Sequence, residues 1–69
     1  MSEFDLKKMG LRFAKAREDK NLSALNVSYT IGRSKNYMYD VENGRSNLGI
    51  KDFYEICQVL EIDPREFFE

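Results

Sequence analysis

Ile31–Ser46 runs IGRSKNYMYDVENGRS, a segment with Gly32 near its start and Gly44 near its end. It reads as the end of one helix, a tight turn, a short helix and a second turn. Met38 and Val41 stand three apart, the spacing of one buried helical face, which leaves Lys35, Asn36, Tyr39, Asp40 and Asn43 on other faces. Ser34 is the expected cap of this short helix and Gly44 its expected terminator. A helix of two or three turns does not persist alone in water, so packing of Met38 and Val41 must hold it. Held in this way, its polar face is displayed.

Outward from this segment the periodicity stays helical. From Phe4 to Lys20 the apolar residues Leu6, Met9, Phe13 and Ala16 recur at three- and four-residue steps, with Ser2 and Asp5 as candidate caps. Asn21 ends that helix, since Asn tolerates the left-handed conformation that closes helices. Ser23 caps a second, short helix with Ala24, Val27 and Ile31 facing inward, and Gly32 supplies the turn after it. Beyond the loop RSNLG, Ile50, Phe53, Ile56, Cys57 and Leu60 form another apolar stripe. A last helix is expected at DPRE, with Asp63 as cap, Pro64 at the first helical position and Glu66 reaching back three residues later. No stretch alternates as a strand does. The expected fold class is therefore all-α, a single domain over residues 1–69 built of five short helices.

Composition limits what such a domain does. A chain of 69 residues buries only about 60% of the surface its unfolded form exposes. Apolar residues make up 42% and charged residues 33% of it, as in a compact globular fold. One cysteine, Cys57, excludes an intrachain disulfide, and the absence of histidine removes an ordinary zinc site. Cys57 lies among Ile56, Val59 and Leu60 and reads as a small core residue. Without histidine, a purposeful carboxylate cluster or a Gly-rich phosphate loop, no nucleophile or general base is evident. The expectation is no enzyme, no cofactor and no metal. No apolar run approaches the roughly 20 residues of a membrane span, and the first residues lack the order of a signal peptide, so a cytoplasmic protein is expected.

Net charge is −1, but its distribution is uneven. Residues 1–49 carry nine Lys or Arg against six Asp or Glu, whereas residues 50–69 carry two against six. A basic front on an acidic back binds phosphate with one face and stays dispersed through the other.

These residues resemble the helix-turn-helix domain of the phage repressor and Cro class. The matching frame is LSALNVSYTIGRSKNYMYDVENGRS, followed by FYEICQVLEIDPREFF and preceded by LRFAKAREDKNLS, so that the likeness runs from about Met9 to Phe68. Leu22 with Ser23, Gly32 with Ser34, and Glu42–Gly44 carry it most specifically. The resemblance implies a five-helix lambda-repressor-like domain whose helices two and three, about residues 23–43, form the helix-turn-helix. It implies a transcriptional regulator, a repressor by default, of bacterial or phage origin. By the same resemblance Lys35, Asn36 and Asp40, with Tyr39 beside them, occupy base-reading positions. Their chemistry suits guanine acceptors, adenine, the cytosine amino group and the thymine methyl. Ser23, Arg33, Ser34, Asn43 and Arg45 are expected at phosphates. Arg17 and Glu42 are implied as a partly buried ion pair tying helix one to the end of helix three.

The chain departs from the family's pattern in ways that bear on function. Ala24 stands where the family usually has a Gln that touches phosphate, and Leu48 and Gly49 weaken the cap of helix four. Ser28 replaces the usual Ala where the two helices approach, and it is small enough to bond to a carbonyl of its own helix. Asp40 is repelled by phosphates unless it meets a cytosine amino group or an Arg. Leu25 and Tyr29, four apart on the outer face of helix two, form a packed surface pair or a contact for a protein partner. Two functions therefore follow. The first is sequence-specific binding of double-stranded DNA as a homodimer, through helix five and REFFE or only on DNA. The alternative is a protein-interaction module on a helix-turn-helix scaffold that has lost most of its DNA affinity.

Overall fold

A computed structural model describes residues 5–46 and 48–68 of the chain. Four α-helices and one 3-10 turn follow in order: α1 Leu6–Asp19, α2 Ala24–Thr30, α3 Tyr37–Glu42, α4 Ile50–Leu60, and the turn Pro64–Phe67. No strand occurs among the described residues.

Helix α1 starts at Asp5, whose carboxylate accepts from the Lys7 and Lys8 amides at 2.9 and 3.3 Å. The expected cap at Ser2 and the start at Phe4 lie outside the described residues. Asn21 closes the helix with φ of 58°, and the Leu22 amide returns to the Arg17 carbonyl at 3.1 Å. Ser23 begins α2 by accepting from the Asn26 amide at 3.0 Å. Gly32 then turns the chain with φ of 77°.

Helix α3 begins later than the sequence suggests. Lys35 and Asn36 form a turn ahead of it, Asn36 takes the cap position, and no side chain caps it. The reason is local. The Tyr37 amide, which a Ser34 hydroxyl would have capped, bonds to the Ser34 carbonyl at 3.1 Å. Met38 and Val41 are buried as the spacing requires, and Gly44 ends the element with φ of 73°.

Helix α4 starts from Gly49 without a side-chain cap and buries Phe53, Ile56, Cys57 and Leu60. Ile50 does not join them. It is 67% exposed because the stripe runs one turn past the core, where Ile50 lines an open apolar hollow with Met9, Leu48, Phe53 and Phe68. The expected fifth α-helix is a single 3-10 turn, opened by Asp63 accepting from the Arg65 amide at 3.0 Å. Glu66 pairs with Arg12 on α1. Phe67 meanwhile packs on Phe13 and Phe53 at ring distances of 5.1 and 5.3 Å, which draws the turn onto α1.

The core fills the space between these elements with Phe13, Val27, Met38, Val41, Ile56 and Leu60. Two features fix α3 against α1. At Gly10 the backbones nearly touch, since a Cβ there would stand 2.4 Å from the Glu42 carbonyl oxygen and 2.6 Å from that of Val41. Beside it, Arg17 Nε and Nη2 donate to the two Glu42 carboxylate oxygens at 2.7 and 3.1 Å, and Nη1 donates to the Leu22 carbonyl at 2.7 Å. With side-chain exposures of 15% and 9%, the pair is largely withdrawn from water.

Removing one partner of such a pair strands the other charge. Arg17→Ala is expected to cost about 3 kcal/mol, against under about 1 kcal/mol for Arg12→Ala at its exposed pair with Glu66. Thermal melts followed by circular dichroism separate the two, and equal melting temperatures would contradict this assignment. Gly10→Ala gains about 1 kcal/mol of helix propensity yet collides with α3, so a net loss of about 2 kcal/mol is expected in the same assay.

Candidate nucleic-acid interface

The unit formed by α2, the turn and α3 is joined by one buried hydroxyl. Ser28 Oγ donates to the Ala24 carbonyl at 2.9 Å and accepts from the Met38 amide at 2.9 Å. Its carbonyl also receives the Arg33 amide at 2.8 Å. Ser28 thus satisfies one of the orphan donors at the start of α3, and Val27 and Met38 pack beside it. With its inner face pinned, the helix presents the rest to solvent.

Tyr39 is exposed on α3, Asp40 is half-buried, and Asn43 is exposed just past its end. Lys35 and Asn36 are exposed in the preceding turn, one helical turn before Tyr39 and Asp40, so these four share one side of the unit. Ser23 and Ser34 are exposed at its two entry points.

The arginines do not stand alone. Arg45 Nη1 lies 3.7 Å from Asp40 Oδ1, and its guanidinium sits over the Tyr39 ring at 5.7 Å from the centroid. Asp40 therefore carries its own counter-charge. Asn43 uses its side-chain amide to donate to the Tyr39 carbonyl at 2.7 Å, closing the end of α3. Lys7 and Leu11 of α1 line the same hollow as Asn43 and Arg45, a cation that the sequence reading did not single out.

Arg33 turns to α4. Its Nη2 donates to Asp52 Oδ2 at 2.6 Å, and Tyr37 Oη donates to the same oxygen at 2.9 Å. The Arg33 guanidinium also stacks over the Tyr37 ring at 5.3 Å. The hydrogen bond from Arg33 holds the Asp52 carboxyl below its usual range, and the bond to Asp52 raises Arg33. Burial, reinforced by the bond to Asp52, pushes the Tyr37 phenol up to about 12. Asp52 and Tyr37 were not among the residues expected from sequence. The available signal was an acid set directly before Phe53 at the head of an apolar stripe, which is where a buried carboxylate with partners on another element would sit.

No protein-family model matches the chain. Its sequence is 34% identical over 63 residues to the uncharacterized HTH-type transcriptional regulator y4dJ of Sinorhizobium fredii, across 90% of this chain and 82% of that protein. The fold is similar to that of the restriction-modification controller protein C.AhdI from Aeromonas hydrophila, with a TM-score of 0.83, 33% identity and 93% of each chain covered. The chain belongs to the helix-turn-helix transcriptional regulators. Among the described residues no helix is long and apolar enough to cross a membrane, and no group of acidic or thiol side chains is arranged to hold a metal ion.

Asp52 gives the fold a pH signature. Its folded pKa lies below the ordinary value of 3.8, so its stabilising contribution is complete above that value and is lost as pH falls through the lower, folded one. Urea unfolding at a series of pH values is expected to show a steeper loss of stability below about pH 4 in the wild type than in Asp52→Asn. Parallel curves would contradict it.

Proposed function

We propose that this chain binds double-stranded DNA sequence-specifically and represses transcription, with α3 and the turn before it in the major groove. The observation that carries this reading is the pinned helix α3. Its backbone is held by Ser28 and its far end by Arg17 and Glu42, while Lys35, Asn36, Tyr39 and Asp40 share the exposed side. The major groove admits a helix of this kind, and those four side chains supply donors, acceptors and a ring for base edges. Asp40, partnered by Arg45, accepts from a cytosine amino group without meeting the phosphates as a bare charge.

Around these base readers, Ser23, Arg33, Ser34, Asn43 and Arg45 contact phosphates and set the register. The protein acts in the cytoplasm as a homodimer, at least on DNA, because one domain makes few base contacts and half-sites one helical turn apart double them. The second copy is seated through the face formed by exposed Ile50 and Tyr54 and the hollow beside them. Occupation of the site excludes polymerase, which makes repression the simplest consequence. A second reading, a module that binds a protein partner, is favoured by Leu25 and Tyr29, which are exposed on α2.

Selection from random duplex DNA tests the first reading, with enrichment of a palindromic motif as the expected result. No enrichment even at low salt would overturn it in favour of the second. On the enriched duplex, Asn36→Ala is expected to relax the preference at one base by about 1–3 kcal/mol. Arg45→Ala is expected to weaken binding to all sequences and flatten the salt slope by about 1. An unchanged base preference in Asn36→Ala would displace the reading face from this turn.

A further inference from the structure

Three elements meet at one carboxylate. Asp52 lies in the first turn of α4 with its side chain only 10% exposed, and its Oδ2 accepts from both Arg33 and Tyr37. Arg33 belongs to the turn between α2 and α3, and Tyr37 is the first residue of α3. Asp52 therefore grips the reading unit from behind.

Stability accounts for only part of this choice. Its other oxygen, Oδ1, is buried with no hydrogen-bond partner among the described residues, and a buried carboxylate with a bare oxygen costs free energy that an apolar side chain would not. What Asp52 does supply is position and charge. Arg33 keeps 47% of its side chain exposed while held at Asp52 and stacked on Tyr37, so its direction is set and its charge is balanced.

We propose that Asp52 is a specificity-setting, positioning residue of the DNA complex: with Tyr37 steadying its carboxylate, it orients Arg33 toward the DNA backbone and cancels a charge that would otherwise hold any duplex. This rests on the DNA-binding reading above. Affinity for random sequence comes from cations that release counterions from phosphate, and an arginine hydrogen-bonded to a buried carboxylate, as Arg33 is to Asp52 at 2.6 Å, contributes less to it than one in a loose, exposed pair such as Arg45 with Asp40 at 3.7 Å. A directed arginine still donates where the backbone of the correct site passes. The balance between specific and non-specific binding is thereby shifted from outside the interface.

The test is fluorescence anisotropy with the full chain, a labelled random-sequence duplex and the selected duplex, across a sodium chloride series. Asp52→Asn is expected to bind random duplex more tightly, with a salt slope steeper by about 0.9. The ratio of specific to non-specific affinity is expected to fall about tenfold, the effect of one lost charge-assisted hydrogen bond. Adding Arg33→Gln to Asp52→Asn removes the freed charge and returns the slope to that of the wild type. An unchanged slope and ratio in an Asp52→Asn protein of native circular dichroism overturns the proposal. Should that variant lose its helical signal, Tyr37→Phe decides: it keeps both charges and removes one donor, so an unchanged slope with a several-fold lower ratio supports the proposal and an unchanged ratio overturns it. A wild type that binds neither duplex removes the DNA-binding reading itself.

Discussion

The Ser28 hydroxyl accepts from the Met38 amide while donating to the Ala24 carbonyl, and α3 depends on that bond. A helix of six residues gains too little from its own hydrogen bonds to persist in water. It stays formed because its backbone is held at one end by a side chain of α2 and at the other by the approach of Glu42 to Arg17 and Gly10 on α1. Met38 and Val41 fill the core between those two points. The exposed groups of α3 are thus placed by contacts on its hidden side.

Charge follows a similar logic. The chain as a whole is slightly acidic, yet the surface around α3 is rich in arginine. Arg17 faces Glu42, Arg33 faces Asp52 and Arg45 faces Asp40. These pairs differ in what they do. The first is withdrawn from water and joins elements, and the second anchors a turn. The third is exposed, so water and salt screen it and its effect is felt mainly by whatever approaches the surface. A basic patch built from paired cations attracts phosphate less strongly than a bare one, and leaves more of the discrimination to direction and shape.

Much of this architecture was legible in the residues. Met9, Phe13 and Ala16, and then Phe53, Ile56, Cys57 and Leu60, repeat at helical spacing and are buried as that spacing requires. Asp5, Ser23 and Asp63 accept the amide bonds that mark them as caps, and Asn21 and Gly44 adopt the left-handed turns their types favour. The misreadings share a cause. Ser34 has the composition of a cap, but its carbonyl closes the turn and α3 starts later. Ile50 continues a periodic stripe that outlasts the core beneath it. Asp63, Pro64 and Glu66 predict a helix, yet Glu66 is drawn to Arg12 and Phe67 to two aromatic rings, leaving a single 3-10 turn.

By itself the sequence determined the all-helical class, most of the buried positions and the terminating turns, because spacing and capping act within a few residues of chain. The partners of Arg33, Arg45 and Ser28 were decided only by tertiary structure. Asp52 lies 19 residues from Arg33 and Met38 lies 10 from Ser28. No local pattern selects among the acids and amides available at such separations. Packing of the apolar faces chooses for them: once α1 and α2 bury their stripes against α3 and α4, each polar group meets whichever partner the crossing of the helices has brought within reach.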